Sequence, residues 1–421
     1  MEIQRPRGTV DLLPGEVEVW QALESTVRDV LDKANYGEIR TPIFEHTELF
    51  ERGVGETTDI VSKEMYTFLD RGNRSVTLRP EGTAGAVRAF VENKLYGTGA
   101  LAKLYYIGPM FRYEKPQKGR LRQFHQYGAE VLGSELPAVD AEVIALSLAV
   151  LERLGLQNLT VELNSVGCSV CRPVHRAQMI ERLLPHRDEL CRDCQVRLEK
   201  NPLRLFDCKN ESCQAVLREA NVPYIVDVLC DECKDHFEQV QGYLRAMDVP
   251  FEIAKNLVRG LDYYTRTAWE ITTPGFSTIA GGGRYNGLVE ELGGPSTPGI
   301  GFAGGIERAI AVLASQNVQI GRTVGLDAFV AVADRGAEHT AMAVLKSLRR
   351  LGLRADRDYQ GRSLKSQLKL ADRLQARFVI MIGESELASG KATVKQLATG
   401  VQREIPFAEL ADAIERGGSE W

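Results

Sequence analysis

The sequence predicts a chain of mixed α and β architecture: a strand-rich α+β region that carries a polar helical insertion, followed by a smaller α/β domain. Three observations lead there. Extended runs at 103 to 114 and 122 to 132 flank Lys115-Pro-Gln-Lys-Gly-Arg-Leu121, whose Pro, Gly and charge mark an exposed loop, so the two runs read as a long hairpin. All eight cysteines fall between Cys168 and Cys233, in a stretch of polar helical pattern that interrupts the strands. Past about residue 325, apolar strands at 328 to 332 and 378 to 382 alternate with helical segments at 338 to 351 and 363 to 376.

In chain order, Val17, Trp20, Leu23, Val27, Val30 and Leu31 recur at helical spacing and predict an amphipathic helix over 17 to 36, stopped by Gly37. After Thr41-Pro42 the chain reads as extended. Val76 to Arg79 then runs through a Pro80-Glu81-Gly82-Thr83 turn into a helix reaching about Tyr96. In the hairpin, residues two apart share a face, which groups Arg112 with Glu114, and Phe124 with Gln126, Gly128 and Glu130. One aromatic, one glycine and two polar side chains are poor material for a core and suit either a binding floor or a solvated sheet face. A helix over 137 to 154, ended by Gly155, and a strand at 159 to 163 lead to the insertion at 168 to 245. Strands resume at 251 to 254 and from Leu261 to Thr272, and the run Gly299 to Arg308 reads as opening a helix. The domain reading is therefore 1 to 325, interrupted by 168 to 245, and then 326 to 421.

With 52 Lys and Arg against 57 Asp and Glu, the net charge of -5 offers no global attraction to a polyanion, so any nucleic-acid contact rests on local patches. One such patch is visible. Between Arg350 and Arg377 eight basic residues face three aspartates. No uncharged apolar run approaches a membrane span and Met1 to Arg7 lacks the apolar core of a signal peptide, so the expectation is a cytoplasmic protein with no membrane partner. The cysteines fall in pairs, Cys168/Cys171, Cys191/Cys194, Cys208/Cys213 and Cys230/Cys233. Three of these are C-x-x-C, which in a reducing compartment favours metal over disulfide. Structural zinc and free, partly buried thiols both remain open.

Gly299-x-Gly301-x-x-Gly304 satisfies the dinucleotide fingerprint, which raises a nicotinamide-linked oxidoreductase, yet it sits late in a strand-rich region with no acidic residue about 20 positions on. No phosphate-cradling G-x-x-x-x-G-K-S/T loop is present either. The remaining motifs resemble those of class II aminoacyl-tRNA synthetases: Thr41-Pro42 after a long helix resembles motif 1, the dimer-forming element; Phe111-Arg112-Tyr-Glu114 through Phe124 and Glu130 resembles motif 2; Gly304-Gly-Ile-Glu-Arg308 resembles motif 3. Leu257-Val-Arg-Gly-Leu-Asp-Tyr-Tyr264, Gly282-Gly-Arg-Tyr-Asn-Gly287 and Leu78-Arg-Pro-Glu-Gly-Thr83 are similar to signatures of the histidyl-tRNA synthetase family, and the likeness runs over nearly the whole chain.

That resemblance implies a central antiparallel sheet of the class II type, a C-terminal α/β domain that binds the anticodon, and a homodimer. It also implies a reaction, in which ATP with Mg2+ activates L-histidine to histidyl-adenylate and tRNA(His) takes the histidine. By the same resemblance Arg112 and Arg259 are catalytic, holding the α-phosphate and the histidine carboxylate. ATP falls to Arg112, Glu114, Arg120, Phe124 and Arg308; histidine to Glu81, Thr83, Arg112, Gln126, Glu130, Arg259, Tyr263, Tyr264 and Tyr285; the tRNA acceptor end to Lys115 and Gln117. Many bacterial members lack the cysteines, so the family's chemistry does not need a metal there. A different class of function shares the fold, a histidine-sensing regulatory subunit. It typically lacks the C-terminal domain and loses catalytic arginines, whereas Arg112, Arg259 and Arg308 are all present here.

Overall fold

The computed structural model describes residues 3–55, 58–99, 101–115, 120–321 and 325–417. It divides into two compact units, Met1–Arg322 and Thr323–Trp421.

The first unit opens with α1 (Val17–Lys33), whose Trp20, Leu23, Val27 and Leu31 are all buried, as the helical spacing demands. It stops before Gly37, because Asn35 turns left-handed (φ 64°) and Gly37 already belongs to β1 (Gly37–Glu38). A small antiparallel sheet follows, built of β2 (Phe44–His46), β3 (Tyr66–Leu69) and β4 (Ser75–Leu78) in the order β2-β4-β3, with α2 (Thr47–Val54) between the first two strands. Helix α3 (Thr83–Glu92) ends short of Tyr96, where Lys94 takes φ 53°. The hairpin is β5 (Ala102–Phe111) and β6 (Gln123–Leu132), paired from Ala102↔Leu132 to Phe111↔Gln123. After α4 (Pro137–Arg153) and β7 (Thr160–Ser165) come four helices, α5 (Cys171–Leu183), α6 (Arg192–Lys200), α7 (Glu211–Glu219) and α8 (Asp231–Ala246). The unit closes with β8 (Phe251–Ile253), β9 (Thr265–Thr273), β10 (Phe276–Arg284), α9 (Leu288–Glu291), β11 (Gly299–Gly305) and α10 (Ile306–Ser315).

The large sheet has the order β1-β5-β6-β11-β10-β9-β7-β8. Its six inner strands are antiparallel, and only the short edge strands β1 and β8 pair parallel to their neighbours. Beneath it lies the main core, where α1, α4, α8 and α10 bury Leu23, Ile144, Val240 and Val312 against Tyr127, Ile271 and Ile300 of the sheet. Two sequence expectations are corrected. The strand expected from Leu261 begins at Thr265, since Arg259 to Tyr264 bend along a cavity on the opposite face. The run expected to open a helix at Gly299 is strand β11, and helix begins only at Ile306. That strand also disposes of the dinucleotide reading: Gly299 to Gly304 lie in mid-sheet between antiparallel β6 and β10, not in the first turn of a parallel βαβ unit.

The second unit is a five-stranded sheet of β12 (Ala328–Val332), β13 (Ala355–Arg357), β14 (Phe378–Ile382), β15 (Lys391–Gln396) and β16 (Gln402–Pro406), ordered β13-β12-β14-β15-β16. Helices α11 (Glu338–Arg350), α12 (Leu364–Arg373), α13 (Glu384–Ser389) and α14 (Leu410–Glu415) connect and cover it. Every residue of β12 is buried because both faces are packed: Val330 faces Leu345 and Ile414, Phe329 faces Ala371.

Candidate active site

Along β6 alternation puts Phe124, Gln126, Gly128 and Glu130 on one face, and the register extends that face sideways. Glu130 lies opposite Gly301 of β11, which lies opposite Gly283 of β10; Gly281 in turn faces Glu270 of β9. The result is a floor of small residues with polar ones at its margins, under a cavity of about 350 Å³. Gly301 cannot be replaced without displacing Glu130, because a Cβ there would stand 1.7 Å from a Glu130 carboxylate oxygen.

Four arginines border this cavity: Arg112, Arg120, Arg259 and Arg308. Arg112 is held through its Nε, which donates to the Pro80 carbonyl at 2.9 Å, and its guanidinium lies 5.3 Å from the Phe124 ring centre. Burial pulls its pKa down, against Glu114, Glu64 and Glu81. Arg120 donates to Glu114 at 2.9 Å, and Arg308, in the first turn of α10, donates to the Thr278 carbonyl. Arg259 pairs with Glu270, which also accepts from the Thr278 hydroxyl. Burial opposes the charge on Arg259, but Glu270 outweighs it and leaves the pKa raised.

The other end is lined by carboxylates, tyrosines and an amide. Glu81 accepts from the first backbone N–H groups of α3, Thr83 and Ala84, both at 2.7 Å, while burial pushes its pKa up. Glu130 is fully buried and accepts hydroxyl donors from Thr83 (2.8 Å), Tyr106 (3.2 Å) and Tyr285. Burial pushes its carboxyl up to about 8. Tyr263 and Tyr264 pack at 4.7 Å between ring centres, and Tyr263 meets Tyr285 edge-on at 5.6 Å. Gln126 Oε1 is buried with no hydrogen-bond partner among the described residues, a cost that a ligand N–H would relieve.

The residues expected to meet histidine and ATP therefore surround one cavity, with Glu130 just behind the floor. Lys115 is exposed and does not line it, and Gln117 lies outside the described residues. Sequence reasoning passed over Glu270, Thr278 and Tyr106. Glu270 carried a signal, being a single acid in the otherwise strand-like run Thr265–Thr273; Tyr106 carried none until the register brought it beside Gly128. Also unforeseen is Arg284, fully buried and clasped by Asp140 of α4, which takes a further hydrogen bond from Thr267 (2.6 Å). That pair anchors the turn bearing Tyr285.

The cysteines sort into two groups, Cys168, Cys171, Cys230 and Cys233, and Cys191, Cys194, Cys208 and Cys213, each with its four sulfurs within 4.8 Å of one another.

Residues 8–309 match the family model for histidyl-tRNA synthetase, and residues 327–416 match an anticodon binding domain. The chain is 57% identical to the histidine–tRNA ligase of Desulforamulus reducens over 96% of its own length and 97% of the relative's. It is 54% identical to that of Moorella thermoacetica, over 98% of both chains. Among solved structures, apo histidyl-tRNA synthetase of S. aureus superimposes with a TM-score of 0.84 at 41% identity, covering 98% of this chain and 100% of that one. A Bacillus halodurans chain described as an ATP phosphoribosyltransferase regulatory subunit/histidyl-tRNA synthetase shares the fold, with a TM-score of 0.65 at 20% identity.

Proposed function

The chain belongs to the histidyl-tRNA synthetase family, and from that premise we propose how its cavity carries out the reaction. The chain is a histidine–tRNA ligase: it activates L-histidine with ATP, releasing pyrophosphate, and transfers histidine to the 3′ end of tRNA(His). The observation that carries the residue assignment is the convergence of Arg112, Arg259 and Arg308, from three separate motifs, on one cavity that also holds the unpaired Gln126 carbonyl.

In this reading Arg112 and Arg259 flank the α-phosphate and the attacking histidine carboxylate, neutralising the charge that gathers there in the transition state. Held by Pro80 and Glu270 respectively, they need little reorganisation on binding. Arg120 and Arg308 take the β,γ end of ATP, and Phe124, beneath Arg112, stacks on adenine. Mg2+ supplies further charge neutralisation to the phosphates of ATP, and Glu114, a carboxylate beside Arg120, suits that hard cation. The ammonium group of histidine donates to Gln126, Glu81 and Thr83. Its ring lies among Tyr263, Tyr264 and Tyr285, with Glu130 accepting from an imidazole N–H. A polar pocket that leaves its own groups unpaired around a wrong side chain discriminates far better than an apolar one. Lys115 and Gln117 are assigned to the acceptor end of tRNA.

Residues 168 to 245 form an insertion within a catalytic domain at 1 to 325, and residues 326 to 421 bind the anticodon. The exposed stripe Lys365, Lys369 and Arg373, each four apart on α12, supports an RNA contact there. Exposed Ile43, Phe44, Phe68 and Leu69 around the small sheet support pairing of two chains, so sedimentation should report twice 46.7 kDa. No helix among the described residues is long and apolar enough to cross a membrane, and a cytoplasmic location completes the reading. The regulatory-subunit alternative is disfavoured by the match at 327–416 together with the four arginines. Pyrophosphate exchange into ATP tests the assignment: histidine should stimulate it and the other standard amino acids should not. Stimulation by a different amino acid, or by none, would falsify it.

A further inference from the structure

The insertion has little core of its own. Its separate hydrophobic cluster has ten buried residues, two of which are Cys194 and Cys213. A unit that small is seldom stable without a covalent or metal cross-link. The sulfurs supply the candidate. Cys168 Sγ stands 3.7 Å from Cys171 Sγ and 3.8 Å from Cys230 Sγ, and Cys191 Sγ stands 4.0 Å from Cys208 Sγ. An ion bound tetrahedrally through bonds of about 2.3 Å separates its sulfurs by about 3.8 Å, whereas a disulfide would bring them to about 2.05 Å.

Backbone amides point at the sulfurs in both groups. Val170 N–H donates to Cys168 at 3.4 Å and Cys230 N–H to Cys171 at 3.2 Å; Cys191 N–H donates to Cys213 at 3.2 Å and Asn210 N–H to Cys208 at 3.4 Å. Each group also draws on helix N-termini. Cys171 opens α5, Cys230 caps α8 and Cys191 caps α6, so partial positive charge faces the thiolates. Gly167 (φ 65°) allows the first group to close, since a Cβ there would lie 2.8 Å from Cys171 Cβ. Four sulfurs at these separations fit a mononuclear ion, and among soft-ligand metals without redox chemistry zinc is the match.

We propose that Cys168, Cys171, Cys230 and Cys233 hold one zinc ion and Cys191, Cys194, Cys208 and Cys213 a second, and that the first also positions the histidine-binding loop. Each site loses four thiol protons to the solvent as Zn2+ binds, leaving a tetrathiolate of net charge -2. The first ion joins the start of α5 to the start of α8, the two helices through which the chain leaves β7 and returns to the main core. The residue after Cys171 is Arg172, whose Nε donates to the Val166 carbonyl at 3.1 Å and whose terminal nitrogen donates to the Tyr264 carbonyl. Asn201 adds a bond to Asp262 at 3.0 Å. The ion thus sets where Arg172 stands, and Arg172 sets the backbone of Tyr264. The Asn201 bond comes from the end of α6, the helix of Cys191 and Cys194, so the second group touches the loop at Asp262; among the described residues it has no bond to Tyr264, and its ion serves chiefly the insertion's own core.

The positioning role rests on Tyr264 lining the histidine pocket; the metal sites do not. Full-length chain, purified reduced and without added metal, should contain two zinc and no iron per chain by mass spectrometry, and a mercurial should release both as the eight thiols titrate. Less than half a zinc per chain, or iron in its place, overturns the sites whatever amino acid drives exchange. Cys168→Ser with Cys230→Ser should remove one zinc and raise KM for histidine about ten-fold, leaving KM for ATP within about two-fold. Cys191→Ser with Cys208→Ser should remove one zinc with little change in either KM. Should the cysteine variants fail to fold, Arg172→Ala decides the second half: it should keep two zinc ions and the same melting temperature yet show the raised KM for histidine. An unchanged KM in that variant overturns the positioning role.

Discussion

In the first unit the charges assigned to the reaction are buried or half-buried, while those assigned to RNA in the second stand in water. Arg112, Arg259, Glu81 and Glu130 are enclosed around the cavity, each with its pKa moved by burial and by a named neighbour. On α12 of the second unit, Lys365, Lys369 and Arg373 are exposed and no ion pair holds them among the described residues. The difference follows from the ligand each surface suits. A transition state a few atoms wide is stabilised by preorganised groups in a dry site, where electrostatic interactions are strong and insensitive to salt. A polyanion is gathered by several screened charges, each weak and each releasing counterions.

The contrast can be broken most directly at the arginines. Arg259→Ala and Arg112→Ala should each lower kcat/KM for histidine-dependent pyrophosphate exchange about 1,000-fold with little change in melting temperature. A loss below about ten-fold would place either residue outside the reaction. Next in size is the buried pair behind the floor. Arg284→Met strips the buried Asp140 of its guanidinium and leaves it the Thr267 hydroxyl and the His236 ring, 3.4 Å away, and urea denaturation should show a loss of about 3–5 kcal/mol; a change under about 1 kcal/mol would mean that the pair does not hold the Tyr285 turn.

Glu130→Gln should cost about 100-fold in kcat/KM for histidine, since the amide cannot ionise to the carboxylate that accepts most strongly from an imidazole N–H. It should also change the pH dependence of stability. The carboxyl rises from its ordinary 4.5 to about 8 in the folded chain, so its contribution is complete below about pH 4.5 and is lost as pH rises through about 8. The variant escapes that loss and should gain on wild type between pH 5 and 9, read as a shift in urea midpoint; parallel profiles would show that Glu130 is not the titrating group. Smallest is the second unit. Lys365→Ala, Lys369→Ala and Arg373→Ala combined should lower aminoacylation kcat/KM for tRNA about ten-fold, and flatten its salt dependence, without altering exchange. An equal effect on both assays would erase the distinction between the units.

The hairpin shows how far local pattern reaches. Alternation placed Gln126 and Glu130 on one face of a strand, yet the same pattern fits a solvated sheet, and it was the β6–β11–β10–β9 register that put glycines and Glu270 beside them. Strand β10 was not legible because Gly281 to Gly283 weaken strand propensity where the cavity needs room. Helix ends at Asn35 and Lys94 were missed because left-handed non-glycine residues leave little trace in a periodicity.

By itself the sequence determined the first long helix, the β5–β6 hairpin and the C-terminal alternation of strand and helix, the residue types available to each motif and the arginines suited to phosphate, since side-chain periodicity and chemistry are local properties. Only the tertiary structure decided that Arg259 pairs with Glu270, that Glu130 takes hydroxyls from Thr83, Tyr106 and Tyr285, and that Cys168 and Cys171 meet Cys230 and Cys233. Those meetings join segments up to 155 residues apart, and which distant segments come together depends on sheet register and helix packing, which no local spacing encodes.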